Sequence, residues 1–157
     1  MTSLRCHVRK YKDFLDYCER LIGKPIYDFD KDPDKPFINA AQFKKIVSLL
    51  RTKKNIILEG APGVGKTFLA RKIAYQLIGE LKDENIEMVQ FHQSYSYEDF
   101  VQGIRPSEEG GFERKNGIFF DFCSKARRSP DQQFVFIIDE INRGNSSKIL
   151  GELMMLI

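Results

Sequence analysis

The sequence predicts an α/β fold in which a parallel sheet is flanked by helices, and three observations predict it. Helically spaced apolar residues alternate with short apolar runs from residue 38 to residue 157. A glycine-rich stretch, LEGAPGVGKTF at 58 to 68, stands between one such run and one such helical pattern. A longer apolar run at 134 to 138 ends in two adjacent acids, Asp139 and Glu140. Strands that alternate with helices read as a parallel sheet with crossover helices.

A chain of 157 residues with 42% hydrophobic content suits one domain core. Its 25 basic and 22 acidic residues leave a net charge of +3, which argues neither for a nucleic-acid coat nor for a polyanionic tail. Cys6, Cys18 and Cys123 form no CxxC pair, and an odd count suits a reducing compartment, so the chain reads as cytoplasmic. There is no signal-like apolar run at the start and no stretch of about 18 apolar residues, so no membrane anchor is expected.

Taken in order, residues 4 to 22 place Tyr11, Phe14, Leu15, Cys18, Leu21 and Ile22 at helical spacing with Gly23 as a stop, an amphipathic helix. GKPIYDFDKDPDKPF follows, rich in Asp, Lys and Pro, and reads as an exposed connector with a boundary near residue 37. The expected organisation is therefore an N-terminal helix and connector over 1–37 and an α/β module over 38–157. Phe43, Ile46, Val47 and Leu50 predict a helix at about 40 to 51, which leads into NIILEG, a short buried strand. Phe68, Leu69, Ile73, Ala74 and Leu77 keep helical spacing up to Gly79, a C-terminal cap.

IEMVQF at 86 to 91 is the next strand. Ser96 and Asp99 have capping-box spacing and start a helix. Gly110-Gly111 and Asn116-Gly117 are turn signals that make 104 to 118 a hairpin, and GIFFDFCSKARRS returns to helical spacing with Arg127 and Arg128 at its C-terminal dipole. QFVFIIDE at 133 to 140 hardly alternates and reads as a strand buried on both faces. Ile149, Leu150, Leu153, Met154 and Ile157 form a last helical stripe that no stop signal ends, so the chain reads as a module lacking its C-terminal half.

Gly60, Gly65, Lys66 and Thr67 satisfy G-x-x-x-x-G-K-[ST], the phosphate-binding loop. Its residues Gly60, Ala61, Pro62, Gly63, Val64, Gly65, Lys66, Thr67 and Phe68 would surround the phosphates with backbone N–H groups at a helix N-terminus. Lys66 would neutralise the β- and γ-phosphates, and Thr67 would offer its hydroxyl to Mg2+. Asp139 at the strand end would hold Mg2+, and Glu140 would polarise the attacking water, which favours hydrolysis over transfer to a second substrate.

Other features carry less. Asp28, Asp30 and Asp32 have the first spacings of a calcium loop, but Pro33 and Asn39 stand where Gly and Glu are required, so the segment reads as a solvated turn. His7 and His92 have no partner at zinc-ligand spacing, and His92 reads as a surface or packing residue. Arg51, Lys53 and Lys54 read as a solvated helix end.

The runs NIILEGAPGVGKTFLARKIAYQLIG, MVQFHQSYSYEDFVQGIRP, GIFFDFCSKA and FIIDEINRGNSSKILGELMMLI resemble the McrB-like AAA+ nucleoside triphosphatases, motor subunits of 5-methylcytosine restriction systems, over residues 38 to 157. The resemblance implies a P-loop NTPase of AAA+ type, with the hairpin as an insertion in helix 2 and an ATP- or GTP-driven homo-hexamer. It implies a nuclease subunit of McrC type as partner, and contact with DNA only through a reading domain that residues 1 to 37 are too short to supply. Its sheet order, 5-1-4-3-2, places a fourth strand between the strand at 55 to 60 and that at 133 to 140, and the sensor, arginine finger and lid of the family have no match in the chain. Arg143 would reach toward a neighbouring subunit. Two alternatives stay open: a dynein-related or MoxR-like ATPase that remodels protein complexes, and a nucleotide-binding fragment without turnover.

Overall fold

The computed structural model describes residues 26–108 and 110–155. The helix read over 4 to 22, His7 and Ile157 lie outside the described residues. The elements run α1 (Ala40–Lys53), α2 (Lys66–Ile78), β1 (Ile86–Gln90), α3 (Tyr97–Phe100), β2 (Gln102–Pro106), β3 (Phe112–Asn116), α4 (Ile118–Arg128), β4 (Val135–Asp139) and α5 (Ser146–Leu150), with short 3-10 turns at Asp83–Asn85, Ile141–Arg143 and Gly151–Met155.

β1 and β4 pair in parallel, from Ile86 opposite Val135 to Gln90 opposite Asp139. β2 and β3 form the expected antiparallel hairpin, from Gln102 opposite Asn116 to Pro106 opposite Phe112. The caps follow the side chains that can supply them. Asn39 and Gln42 close a capping box on α1, and Ser96 and Asp99 close one on α3. Gly79 ends α2 at φ 85°, in the left-handed region where glycine carries no Cβ penalty.

Three expectations are corrected. Residues 55–60 form no strand: Ile57 is 78% exposed, Ile56 is half-buried and Leu58 packs against the core. A strand needs a backbone ladder, and among the described residues the two sheets are β1–β4 and β2–β3, neither of which includes this segment. For the same reason β4 is half-buried along its whole length rather than buried on both faces, since β1 is its one neighbour among the described residues. The last helix stops after Leu150, because Gly151 takes φ 51° and ψ −128° and the chain continues as a 3-10 turn. Ile149 and Leu150 are buried while Met154 is 47% exposed.

Among the described residues, two apolar clusters form the core. Val89, Phe91, Phe100, Ile149 and Leu150 pack under the sheet ends, with Phe119 stacked on Phe100 at 5.0 Å. The second joins Phe43 and Val47 of α1, Ile73 of α2, and Tyr27 and Phe29. The last two come from the segment read as an exposed connector. Its aromatic residues alternate with aspartates, so the rings turn inward, Phe29 stacking on Phe43 at 4.2 Å, while Asp28 and Asp30 stay in the turn.

Asp32 departs from the solvated-turn reading as well. Its carboxylate meets Lys72 Nζ of α2 at 2.6 Å with only 8% and 13% of the two side chains exposed, and it accepts a second bond from the Tyr27 hydroxyl at 2.9 Å. Burial would raise the Asp32 pKa, but the bonds from Lys72, Tyr27 and the Asp34 amide outweigh it and hold the carboxyl below its ordinary value. Burial and the bond to Asp32 push the Tyr27 phenol up. The pair thereby fastens residues 27–32 to α2, the helix that begins at Lys66.

Candidate functional site

The loop from Gly60 to Gly65 is exposed at the N-terminus of α2. Gly63 and Gly65 both have φ 79°, a conformation that L side chains rarely adopt, and nothing lies within 4 Å of a Cβ built on either, so backbone conformation and not crowding requires glycine there. Unlike α1 and α3, α2 has no side-chain cap, and no acid stands in its first turn. Its leading N–H groups are thus left to an anionic ligand, and the helix dipole favours one.

Lys66 Nζ donates to the carbonyls of Gly60 and Ala61 at 2.9 and 2.8 Å, which folds the ammonium over the mouth of the loop. Val64 is 62% exposed, and Phe68 is 43% exposed with its ring 5.0 Å from Lys72 Nζ. Ala61 and Pro62 are exposed along the same turn.

The C-terminal end of β4 meets the start of α2 just below this loop. Thr67 Oγ1 donates to Asp139 Oδ2 at 2.9 Å, joining the two motifs across 72 residues of sequence. A hydroxyl and a carboxylate oxygen in contact are the hard donors that Mg2+ takes, with its remaining positions left for water and phosphate. Among the described residues no group of three His, Cys, Asp or Glu side chains is placed to form an all-protein cage. The donor set therefore fits a cation bound together with a phosphate ligand.

Glu140 has φ 52° and ψ 42°, left-handed backbone that is uncommon for a residue other than glycine, asparagine or aspartate. Its amide donates to Asp139 Oδ1 at 3.0 Å, and its carboxylate meets Arg143 Nε at 3.1 Å. The structure thus brings Thr67 and Asp139 together, keeps Lys66 on the loop's own carbonyls, and places Glu140 against Arg143 of the same chain. The i,i+3 spacing of Glu140 and Arg143 was the available sequence signal for that contact. The backbone strain at Glu140 left none.

Beside the acids, Phe91 N donates to the Asp139 carbonyl at 3.0 Å, so His92, Gln93 and Ser94 emerge next to the end of β4. His92 is exposed and meets Tyr95 edge-on at 5.3 Å. Further along, the bonds from Ser96 hold Asp99 below its ordinary pKa, aided by Arg105 of the hairpin, whose guanidinium bonds the same carboxylate. The hairpin is in this way fastened to α3.

The family described as AAA domain (dynein-related subfamily) matches residues 55–157. The chain is 58% identical over 120 residues to the Type IV methyl-directed restriction enzyme EcoKMcrB subunit of Escherichia coli (strain K12), covering 76% of this chain and 26% of that protein. It is 28% identical over 140 residues to the Type II restriction enzyme BsuMI component YdiS of Bacillus subtilis (strain 168), covering 70% of this chain and 39% of that protein. The chain spans between about a quarter and two fifths of the length of these curated relatives.

Proposed function

The chain belongs to the dynein-related subfamily of AAA domains, and from that membership we propose that it binds ATP or GTP with Mg2+ at the Gly60–Thr67 loop and hydrolyses it as the motor module of a DNA restriction system. The observation that carries this reading is the 2.9 Å contact between Thr67 and Asp139, which unites the phosphate loop with the strand-end acids. The 58% identity to an McrB subunit favours restriction over the remodelling of protein complexes.

In this reading the α2 N-terminus and the loop amides hold the phosphates, and Lys66 exchanges its two carbonyl partners for phosphate oxygens. Thr67 and Asp139 hold Mg2+, which when bound neutralises charge on the β- and γ-phosphates. Glu140 leaves Arg143 and accepts a proton from the attacking water. Homo-hexamer assembly, a nuclease subunit of McrC type and contact with DNA through a separate reading domain complete the proposed context.

Glu140→Gln tests the assignment. It should lower turnover at least about 100-fold, the usual contribution of a positioned base, while the nucleotide Kd stays within about threefold. Undiminished turnover would remove Glu140 from the mechanism.

A further inference from the structure

An open cleft of about 580 Å³ at the C-terminal ends of the two parallel strands is lined by His92, Gln93, Ser94, Asn142 and Arg143. One wall is the segment that leaves β1, and the other is the Ile141–Arg143 turn that follows the acids. None of these five side chains is acidic. Together they present a guanidinium, two carboxamides, a hydroxyl and an imidazole, a donor-rich set suited to an oxyanion.

Arg143 is common to this cleft and to the acids. Its Nε meets Glu140 Oε2 at 3.1 Å with 68% of its side chain exposed, and the bond engages only one edge of the guanidinium fork. The turn that carries Arg143 is pinned by its amide, which donates to the Glu140 carbonyl at 2.8 Å, so the guanidinium can swing between carboxylate and cleft without the backbone moving.

We propose that the cleft receives inorganic phosphate released by hydrolysis, and that phosphate on entering draws Arg143 off Glu140. The inference rests on the triphosphatase reading above. A phosphate dianion offers the fork two oxygens at once, and the competing Glu140 contact is single and solvent-exposed. Phosphate departure then restores the Glu140–Arg143 pair, so product release and the state of the water-polarising carboxylate are coupled.

Titration of the 15N-labelled chain with inorganic phosphate, without nucleotide, tests the site by amide chemical shifts. The expected result is a response at His92, Gln93, Ser94, Asn142 and Arg143 that persists in Lys66→Ala and weakens at least about tenfold in Arg143→Gln, an exposed position whose unchanged urea midpoint is checked alongside. A response confined to residues 60–67 and abolished by Lys66→Ala overturns the proposal, as does a cleft response indifferent to Arg143→Gln. Acetate binding as tightly as phosphate overturns the phosphate assignment in favour of a protein carboxylate. Titration of the same samples with Mg2+ and nucleotide reads the loop separately. A missing loop response counts against the triphosphatase reading, and a missing cleft response counts against this site alone.

Discussion

Lys72→Met strips the Asp32 carboxylate of its cation while nearly conserving volume. The two side chains are 8% and 13% exposed, so Asp32 would remain charged in a place where water reaches it poorly. Breaking a fully buried pair costs about 3–5 kcal/mol, and the residual exposure together with the surviving Tyr27 bond brings the expectation to about 2–4 kcal/mol. That is a large share of the roughly 5–15 kcal/mol that stabilises an ordinary domain. Urea unfolding reads it: at a slope of about 2 kcal/mol/M, the midpoint should fall by about 1.5 M with the slope unchanged. Adding Asp32→Asn should restore much of the loss, because the stranded charge is gone. A loss below about 1 kcal/mol, or a double variant equal to the sum of the singles, refutes the argument that this pair fastens residues 27–32 to α2.

The same pair predicts a pH dependence. Asp32 titrates below its ordinary value in the fold, so its contribution is present above the unfolded value and is lost as pH falls through the depressed folded one; urea midpoints from pH 6 to 2 should show a loss that Lys72→Met reduces. Tyr27 titrates above its ordinary value, so stability should decline as pH rises past about 10, and Tyr27→Phe should flatten that limb. Glu140→Gly relieves left-handed backbone at φ 52° but adds unfolded-state freedom; stability should change by less than about 1 kcal/mol while turnover is lost, and a larger destabilisation would show that the Arg143 contact matters to the fold. Gly117→Ala drives a Cβ into the backbone of Asp99 and Phe100 and should lower Tm by about 8 °C, with an unchanged Tm speaking against the tight packing of α4 on α3.

The conformation of the Gly60–Lys66 loop was legible because its geometry is local: glycines at fixed spacing, a helix beginning at Lys66, and φ near 79° at Gly63 and Gly65 need nothing from elsewhere in the chain. The hairpin and the capping box at Ser96 were legible for the same reason. The AAA+ resemblance over 38 to 157 agrees with the family match over 55–157, and the parallel pairing of β1 with β4 agrees with the fold class. Properties that depend on distant partners were not legible. NIILEG has the composition of a strand, yet residues 55–60 have no ladder among the described residues, and a strand is a property of two segments. The Asp32–Lys72 pair joins residues 40 apart and hides within a segment whose composition reads as solvated. Gly151 lies inside an apolar helical stripe, and only its backbone angles mark the break.

The measurement that bears most directly on the central claim is equilibrium binding of Mg2+ with ATP and, separately, with GTP by calorimetry, comparing the chain with Lys66→Ala and Asp139→Asn. Lys66→Ala removes charged hydrogen bonds to phosphate worth about 1.5–3 kcal/mol and should weaken binding about 10- to 100-fold. Asp139→Asn should abolish the Mg2+ dependence while leaving weak metal-free binding. Binding of either nucleotide that is unchanged by both substitutions would contradict a site built from the Gly60–Thr67 loop and the end of β4.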